Sequence, residues 1–242
     1  MNKEEIEKLV KAGKIAKQVV DFAKTFIKST MPLLELAEKL ESKIIELGAK
    51  PAFPINLSIN EVAAHSTPSF NDSSIAQGLI KVDIGVHING YVADTAISLD
   101  LEQNEENKAL ISAAENALNS AVQLIKFSIS FNEIGKIIEN TIKKSGFHPV
   151  TNLSGHSIEP WNLHAGVTIP NFDNSQILPL KEGLYAVEPF ATLGLGSVRD
   201  GKPSGIYSFQ KKGNVRDSFA REVLTFIKSE YNTLPFCSRW LI

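Results

Sequence analysis

The sequence is short of cysteine, of net charge and of long apolar runs. Its 242 residues include one cysteine, Cys237, and carry a formal net charge of −2 at pH 7. A single cysteine excludes an internal disulfide framework and favours a reducing compartment. The balanced charge gives no general reason to bind nucleic acid or an anionic membrane surface. No stretch approaches the ~18 apolar residues of a membrane span, and residues 1–14 are too charged for a signal peptide, so we expect a soluble cytoplasmic protein.

The chain has enough apolar residues and length to build a substantial core. Hydrophobic residues make up 43% of the sequence, and a globule of this mass buries roughly 70% of its unfolded surface. Apolar residues at helical spacing predict a first helix around residues 6–27 and a last one over Ser218–Tyr231. Between them, Ser29 or Thr30 could cap a second helix, a third covers residues 104–127, and a fourth opens with the capping box Ser130–Glu133.

The predicted elements come in a repeated order. Two helices, a strand and a hairpin are followed by two more helices and further strand-like runs, around residues 150–156, 163–169 and 183–191. This order suggests two structurally similar halves, although the halves share no usable sequence identity. Helices on one side of an antiparallel sheet give an α+β layer arrangement.

The most informative segment is VDIGVHINGYVADTA, residues 82–96. Asn-Gly between alternating apolar residues is a strong hairpin signal. With Asn89 and Gly90 as the two loop residues, Asp83 lies opposite Ala96 and Asp94 opposite Gly85. The two carboxylates then share one face with their Cβ atoms roughly 6–8 Å apart. Gly85, which has no side chain, leaves room between them.

Two interpretations of this aspartate pair stay open on the segment alone. The simpler one is a hairpin with two surface carboxylates. The alternative is a metal site, because both faces of the strand pair are apolar and two buried like charges need a countercharge. A pair of divalent cations about 3.5–4 Å apart would supply it.

Two further residues have the chemistry of metal ligands. His156 follows a glycine, which allows the close backbone approach that a site wall requires. Glu188 is a carboxylate in the apolar run YAVEPFA, where it is costly unless it is paired or bound to a metal. An Arg or Lys partner in the core is the alternative for Glu188. Asp, Asp, His and Glu together form an oxygen-rich set typical of a dinuclear hydrolytic site.

The other four histidines are not predicted to be metal ligands. His65 and His164 could donate hydrogen bonds to a carbonyl or a developing oxyanion. His87 falls on the face of the aspartate pair and is expected to orient a carboxylate or to be structural. His148 precedes a proline and is expected in a surface loop.

Four blocks in this order closely resemble the archaeal kind of type 2 methionine aminopeptidases. They are residues 52–65 (AFPINLSINEVAAH), the hairpin at 82–96, SGHSIEPWNLHAG at 154–166 and AVEPFAT at 186–192. The run TLPFCSRW at 233–240 also resembles the helical insertion of the type 2 enzymes. The resemblance covers nearly the whole chain.

The resemblance implies a pita-bread (creatinase/aminopeptidase-like) fold with pseudo-twofold halves, here a catalytic domain at 1–193 and a partial type 2 helical insertion at 194–242. It implies metal-dependent removal of the initiator methionine from nascent chains with a small second residue. Two divalent ions (Co, Mn, Fe, Zn or Ni) would be held by Asp83, Asp94, His156 and Glu188. The catalytic and substrate-binding residues would be His65 and His164, with Glu188 also catalytic and with Phe53 and Leu163 lining the methionine pocket.

The match breaks near the end of the sequence. The family has a fifth ligand, a glutamate in a Glu-His-Thr-like context, and this chain has no such motif. Glu222 and Glu230 lie on a predicted helix and do not fit the role. The chain could be a C-terminally truncated fragment, one half of a split enzyme completed by a second polypeptide, or a catalytically impaired homologue.

These alternatives set the competing functions. A methionine aminopeptidase would act on nascent N-termini, possibly at the ribosome, as a monomer if complete, without membrane or specific nucleic acid. A non-enzymatic binding protein on the same fold would have lost ligands by substitution, and none of these four is lost. A peptidase cutting before proline is a third possibility.

Overall fold

The computed structural model describes residues 1–125, 129–210 and 215–242. The helices are α1 Lys3–Phe26, α2 Leu33–Glu46, α3 Glu105–Leu124, α4 Phe131–Lys144 and α5 Ser218–Tyr231, with a short 3-10 helix at Ser238–Leu241. The strands are β1 Lys50–Pro51, β2 Asn56–Ile59, β3 Leu79–Ile88, β4 Tyr91–Asp100, β5 His148–Pro149, β6 Ser154–Ile158, β7 Thr168–Pro170, β8 Leu184–Ala186, β9 Ala191–Thr192, β10 Ile206–Tyr207 and β11 Phe236–Cys237. None of the described helices is both long enough and apolar enough to cross a membrane.

The residues group into two compact units. The first unit contains Met1–Leu101, Pro160–Leu163 and Pro203–Ile242. The second contains Glu102–Glu159 and His164–Lys202. The division into a domain at 1–193 and an insertion at 194–242 follows the sequence motifs and stays a prediction.

The core of the first unit lies between helices α1 and α2 and an antiparallel sheet. The helix α1 starts with a capping box in which the Asn2 side chain accepts from the Glu5 N–H and the Glu5 carboxylate accepts from the Asn2 N–H. Its apolar stripe is buried against the sheet, as are the inner residues of α2: Ala12, Ile15, Val19, Leu36, Leu40 and Ile44. In the sheet, β3 pairs with β4 along one edge and with β1 and β2 along the other.

The register of the β3–β4 hairpin is the one predicted from the Asn-Gly turn. Ile88 pairs with Tyr91, Gly85 with Asp94 and Asp83 with Ala96. Asn89 and Gly90 both have positive φ values, +50° and +84°, as a two-residue hairpin turn requires. A fixed two-residue loop therefore determines the position of every side chain along both strands.

The second unit packs α3 and α4 against short strands. Asn104 caps α3, and Ser130 and Glu133 form the predicted capping box of α4. The inner faces of both helices form a core that includes Ala113, Ala117, Ile134, Ile138 and Ile142. The strand β6 is central in a three-stranded sheet with β7 and β8. These strands are shorter than the strand-like runs predicted from the sequence. The last two residues of the predicted third helix, 126 and 127, lie outside the described residues.

The predicted cap of α2 is wrong. Pro32, not Ser29 or Thr30, occupies the N-cap position, and no side chain caps the helix. Thr30 instead has a φ of +70°, and its N–H donates to Ala76 O. The N–H of Leu33 donates to Ser74 O at 2.9 Å. A loop carbonyl, distant in sequence, thus replaces the side-chain cap that a local pattern suggested.

Candidate metal centre

The β3–β4 hairpin presents Asp83 and Asp94 on one face of the first unit. Asp83 is opposite Ala96, and Asp94 is opposite Gly85. Since side chains alternate along a strand, the register makes the two carboxylates diagonal neighbours. Both residues are half-buried. The hairpin alone therefore brings together two of the four predicted ligands.

The space above Gly85 is filled by Phe53, which corrects the expectation that it is left open between the carboxylates. A Cβ added at Gly85 would lie 2.3 Å from Cε1 of the Phe53 ring. Phe53 is itself buried, with 4% of its surface exposed. The glycine thus lets an aromatic ring pack directly on the strand between the two aspartates. This places the predicted pocket residue Phe53 beside the predicted ligands of the same unit.

Asn56 contacts one of these carboxylates and was not among the predicted site residues. It lies on β2 directly opposite Asp83, and its Nδ2 donates to Asp83 Oδ2 at 3.3 Å. The side chain is buried, with 3% of the residue exposed. A buried amide that donates to a carboxylate can fix the direction of that carboxylate. The pairing of β2 with β3 is the signal that would have identified it.

His87 has a structural role at the hairpin turn. Its Nδ1 accepts a hydrogen bond from the Gly90 N–H at 3.1 Å, and its ring packs edge-on against Trp161. The backbone N–H of Trp161 donates to Gly90 O, so both the N–H and the carbonyl of Gly90 are hydrogen-bonded. Burial, followed by the charge of Lys50, lowers the pKa of His87 to about 4. The ring is therefore neutral at pH 7, as an accepting Nδ1 requires.

In the second unit, His156 and Glu188 face each other. His156 lies on β6 and Glu188 follows β8, whose Ala186 pairs with His156. The Nε2 atom of His156 is 3.0 Å from Oε1 of Glu188. Gly155 makes this approach possible, because a Cβ there would lie 2.2 Å from Ala186 O and 3.2 Å from Glu188 N. The expected close backbone approach before His156 is thus present.

The donor set of this pair fits a divalent metal. Glu188 Oε1 is buried and makes no well-aligned hydrogen bond within the described ranges, even though His156 Nε2 is so near. His156 Nδ1 lies 3.4 Å from Ser157 O, and in the tautomer with its proton on Nδ1 the ring would coordinate a metal through Nε2. An imidazole nitrogen and a carboxylate oxygen 3.0 Å apart are donors that one divalent cation could bind together.

The remaining predicted residues fall in both units. His164 is exposed, and its ring lies edge-on to that of His156 with centroids 4.3 Å apart. His65 is exposed on the loop after β2, with a φ of +57°. Leu163 is buried in the first unit. His148 is exposed as predicted, but in β5 rather than in a loop.

The two glutamates that were rejected as a fifth ligand have other surroundings. Both lie on α5, as predicted. Glu222 is exposed, and Glu230 forms an ion pair with Lys50 at 2.5 Å. Neither offers a buried carboxylate to a metal.

Comparison with known proteins gives consistent matches over most of the chain. Residues 7–218 match metallopeptidase family M24. A methionine aminopeptidase of Pyrococcus abyssi is 49% identical over 244 residues, covering 98% of this chain and 81% of that protein. A solved methionine aminopeptidase of Thermotoga maritima superposes with a TM-score of 0.76 at 25% identity, covering 84% of this chain and 85% of that one. A solved prolidase of Pyrococcus furiosus superposes with a TM-score of 0.66 at 27% identity, covering 78% of this chain and 56% of that one.

Proposed function

The chain belongs to metallopeptidase family M24, and we propose that Asp83, Asp94, His156 and Glu188 are the ligands of its two divalent metal ions. It has the α+β pita-bread fold that its motifs predict. It is a metal-dependent methionine aminopeptidase, which removes the N-terminal methionine of nascent proteins. The observation that carries this function is the 49% identity to a methionine aminopeptidase over 98% of the chain.

The ligand proposal is supported separately within each unit. The hairpin register puts the two aspartates on one face beside the Phe53 ring. In the second unit, a buried carboxylate oxygen faces an imidazole nitrogen at 3.0 Å. Carboxylates and a single imidazole form a donor set suited to Mn, Fe, Co or Zn, and no thiolate is involved.

The side chains near the ligands suggest how the peptide bond is broken. Divalent ions, when bound, lower the pKa of a coordinated water toward neutrality and polarise a carbonyl. The Glu188 carboxylate would accept the proton that the attacking water loses and later give it to the leaving amine. His164, beside His156, and His65, on its loop, would donate hydrogen bonds to the oxygen that becomes negatively charged.

Specificity for methionine is assigned to an apolar slot. Phe53 and Leu163 are both buried residues of the first unit. A flexible, unbranched thioether needs a dry, narrow pocket and few polar contacts. We propose that these two side chains line it, and that the space beyond the scissile bond admits only a small second residue.

Hydrolysis of short peptides by the full chain tests the function. Met-Ala-Ser is incubated with the protein and Mn²⁺ or Co²⁺, with Ala-Ala-Ser and the dipeptide Ala-Pro as the competing substrates. Release of methionine that EDTA abolishes is the expected result. Cleavage of Ala-Pro in preference to Met-Ala-Ser would instead support a prolidase. Tight binding of nascent-chain peptides without cleavage would favour the binding-protein alternative.

Three finer statements about partners and location stay proposals. The family resemblance predicts a fifth carboxylate ligand, which a second polypeptide could supply. Repeating the assay with a C-terminal segment of a relative added in trans tests this directly. A gain in kcat that disappears when the glutamate of the segment is changed to Gln would support a split enzyme, and no gain would argue against it. The other two proposals are that the protein acts at the ribosome and that it is located in the cytoplasm.

A further inference from the structure

A buried ion pair in the first unit joins α2 to the segment around residue 239. Glu41 and Arg239 are 7% and 8% exposed. The guanidinium donates to both carboxylate oxygens, from Nη1 at 2.7 Å and from Nη2 at 2.8 Å. Trp240 Nε1 and the Ile55 N–H also donate to this carboxylate. Because the pair is bidentate and further hydrogen-bonded, it can be kept charged in a buried place.

The other donors of Arg239 reach the loop that follows β2. Its Nε donates to Pro68 O at 3.1 Å, and its Nη2 also lies 3.3 Å from Thr67 Oγ1. The Thr67 hydroxyl donates in turn to Ile55 O at 2.9 Å. Ser66 O accepts from the Leu57 N–H at 2.6 Å. Residues 66, 67 and 68 are therefore each held by a hydrogen bond, and Arg239 contacts the last two of them.

These anchors begin immediately after His65. The backbone of His65 has a φ of +57°, a left-handed conformation that is unfavourable for a residue with a Cβ. Its side chain is exposed, so its own packing does not fix this conformation. Such a backbone persists only where the neighbouring structure determines it.

The other end of the loop is fixed at Asn60. The N–H of Asn60 donates to Leu79 O at 2.8 Å, and its Oδ1 accepts from the Leu79 N–H at 2.9 Å. Between the two ends, residues 61–64 are exposed or half-buried. Asn60 fixes the start of the loop, and the anchors at 66–68, which directly follow His65, fix the backbone that carries its imidazole.

We propose that Arg239, held by Glu41, is a positioning residue that fixes the loop carrying His65 and so orients the His65 imidazole toward the substrate. This inference rests on the proposed role of His65 in binding the substrate oxygen. Arg239 itself touches the loop and α2, and it acts only through His65. A planar guanidinium has five N–H donors and can bind both carboxylate oxygens, a carbonyl and a hydroxyl at the same time, whereas an ammonium has only three donors.

The test compares two conservative variants of the same cluster. Arg239→Lys keeps the charge but cannot bind Glu41 in a bidentate way and also reach residues 67 and 68. Trp240→Phe removes one hydrogen bond to Glu41 and no contact of Arg239 with the loop, so it is the matched control. For each, we measure kcat and KM for Met-Ala-Ser, the midpoint of thermal unfolding, Mn²⁺ affinity, and the NMR signal of the His65 ring, assigned with His65→Gln.

We expect Arg239→Lys to lower kcat about tenfold with KM and Mn²⁺ affinity little changed, and to shift or broaden the His65 signal. Trp240→Phe should lower the unfolding midpoint without moving that signal. A His65 signal unchanged in Arg239→Lys would overturn the proposal. If Arg239→Lys does not fold, the double variant Glu41→Gln, Arg239→Met removes both charges and is judged by the same signal. Should the chain cleave no peptide, a shifted His65 signal still supports the positioning contact while the proposed function fails.

Discussion

The two units carry their proposed ligands on very different elements. In the first unit, Asp83 and Asp94 lie in a long hairpin of two ten-residue strands that pair without interruption. In the second, His156 lies on a five-residue strand, and Glu188 follows one of three residues. The hairpin fixes its ligands through local backbone pairing. The short strands depend on close packing, which Gly155 permits, so the second pair should be more sensitive to small steric changes.

Substitution of single proposed ligands should give the largest effects on activity, in both units alike. Asp94→Asn and Glu188→Gln are each expected to lower kcat/KM by at least about 10³-fold, equal to about 4 kcal/mol of transition-state stabilisation. The assay is methionine release from Met-Ala-Ser with Mn²⁺ at saturation.

We expect the two units to differ in how these substitutions change the stability of the metal-free protein. Asp94→Asn removes a like-charge neighbour from the hairpin face and should raise the free energy of unfolding by up to about 1 kcal/mol. Glu188→Gln replaces a carboxylate that lies close to His156, and this variant should leave the free energy of unfolding unchanged or lower it. Urea unfolding in EDTA measures both. Equal stabilisation in both variants would mean that the two pairs are electrostatically alike. Full activity in either variant would remove that residue from the proposed ligand set.

Alanine substitutions at the two site glycines sharpen the steric side of the comparison. At Gly155 a Cβ would meet Ala186 O, a backbone atom that cannot turn aside, at 2.2 Å. At Gly85 it would meet the Phe53 ring, a side chain, at 2.3 Å. We expect Gly155→Ala to destabilise the fold by about 3–4 kcal/mol and Gly85→Ala by about 1–3 kcal/mol, since overpacking is less costly where a side chain can shift.

Gly13 provides the matched control for these glycines. It lies in α1, and a Cβ there meets nothing within 4 Å. Gly13→Ala should therefore stabilise the chain by about 0.5–1 kcal/mol through helix propensity. Urea unfolding of all three variants gives the order directly. A smaller loss at Gly155 than at Gly85 would contradict the tighter packing that we assign to the second unit.

The features of both units that could be predicted from the sequence are those with local signals. An Asn-Gly turn with two loop residues determines the register of β3 and β4, and therefore the shared face of Asp83 and Asp94. The capping box at Ser130–Glu133 and the bounds of α5 at Ser218–Tyr231 are equally local and are confirmed. Each of these features depends on residues within one or two turns of chain.

What the sequence could not provide are contacts between distant segments. Asn56 meets Asp83 only because β2 pairs with β3, and Phe53 covers Gly85 from a neighbouring loop. The start of α2 is fixed by a carbonyl about forty positions later, Ser74 O, rather than by a local cap. The network of Arg239 with Glu41 joins residues 198 positions apart. His156 and Glu188 were grouped by family resemblance and by residue chemistry, and no local pattern gives their 3.0 Å approach.

Titration of His87 probes the turn of the hairpin, where a single side-chain hydrogen bond is at stake. The folded pKa of about 4 lies below the ordinary value of 6.5 because the ring is buried. The unfolded chain therefore binds more protons between these values, so stability is fully present above pH 6.5 and is lost as the pH falls toward 4. The loss across this window should be about 2–3 kcal/mol. Protonated Nδ1 can no longer accept from the Gly90 N–H, which opens the turn first.

His87→Asn separates this titration from the hydrogen bond. Its Oδ1 can accept from the Gly90 N–H in place of Nδ1, but it does not titrate. Urea unfolding at pH 7.0, 6.0, 5.0 and 4.5 should show a shallower loss for His87→Asn than for the parent chain. His148→Gln, at an exposed position in β5, is the control for replacing a histidine outside the hairpin. If the parent and His87→Asn lose stability in parallel, the acid sensitivity lies elsewhere, and the hairpin holds its turn without a neutral His87. The first unit would then owe its order to strand pairing alone, which is the strongest form of its contrast with the short strands around His156.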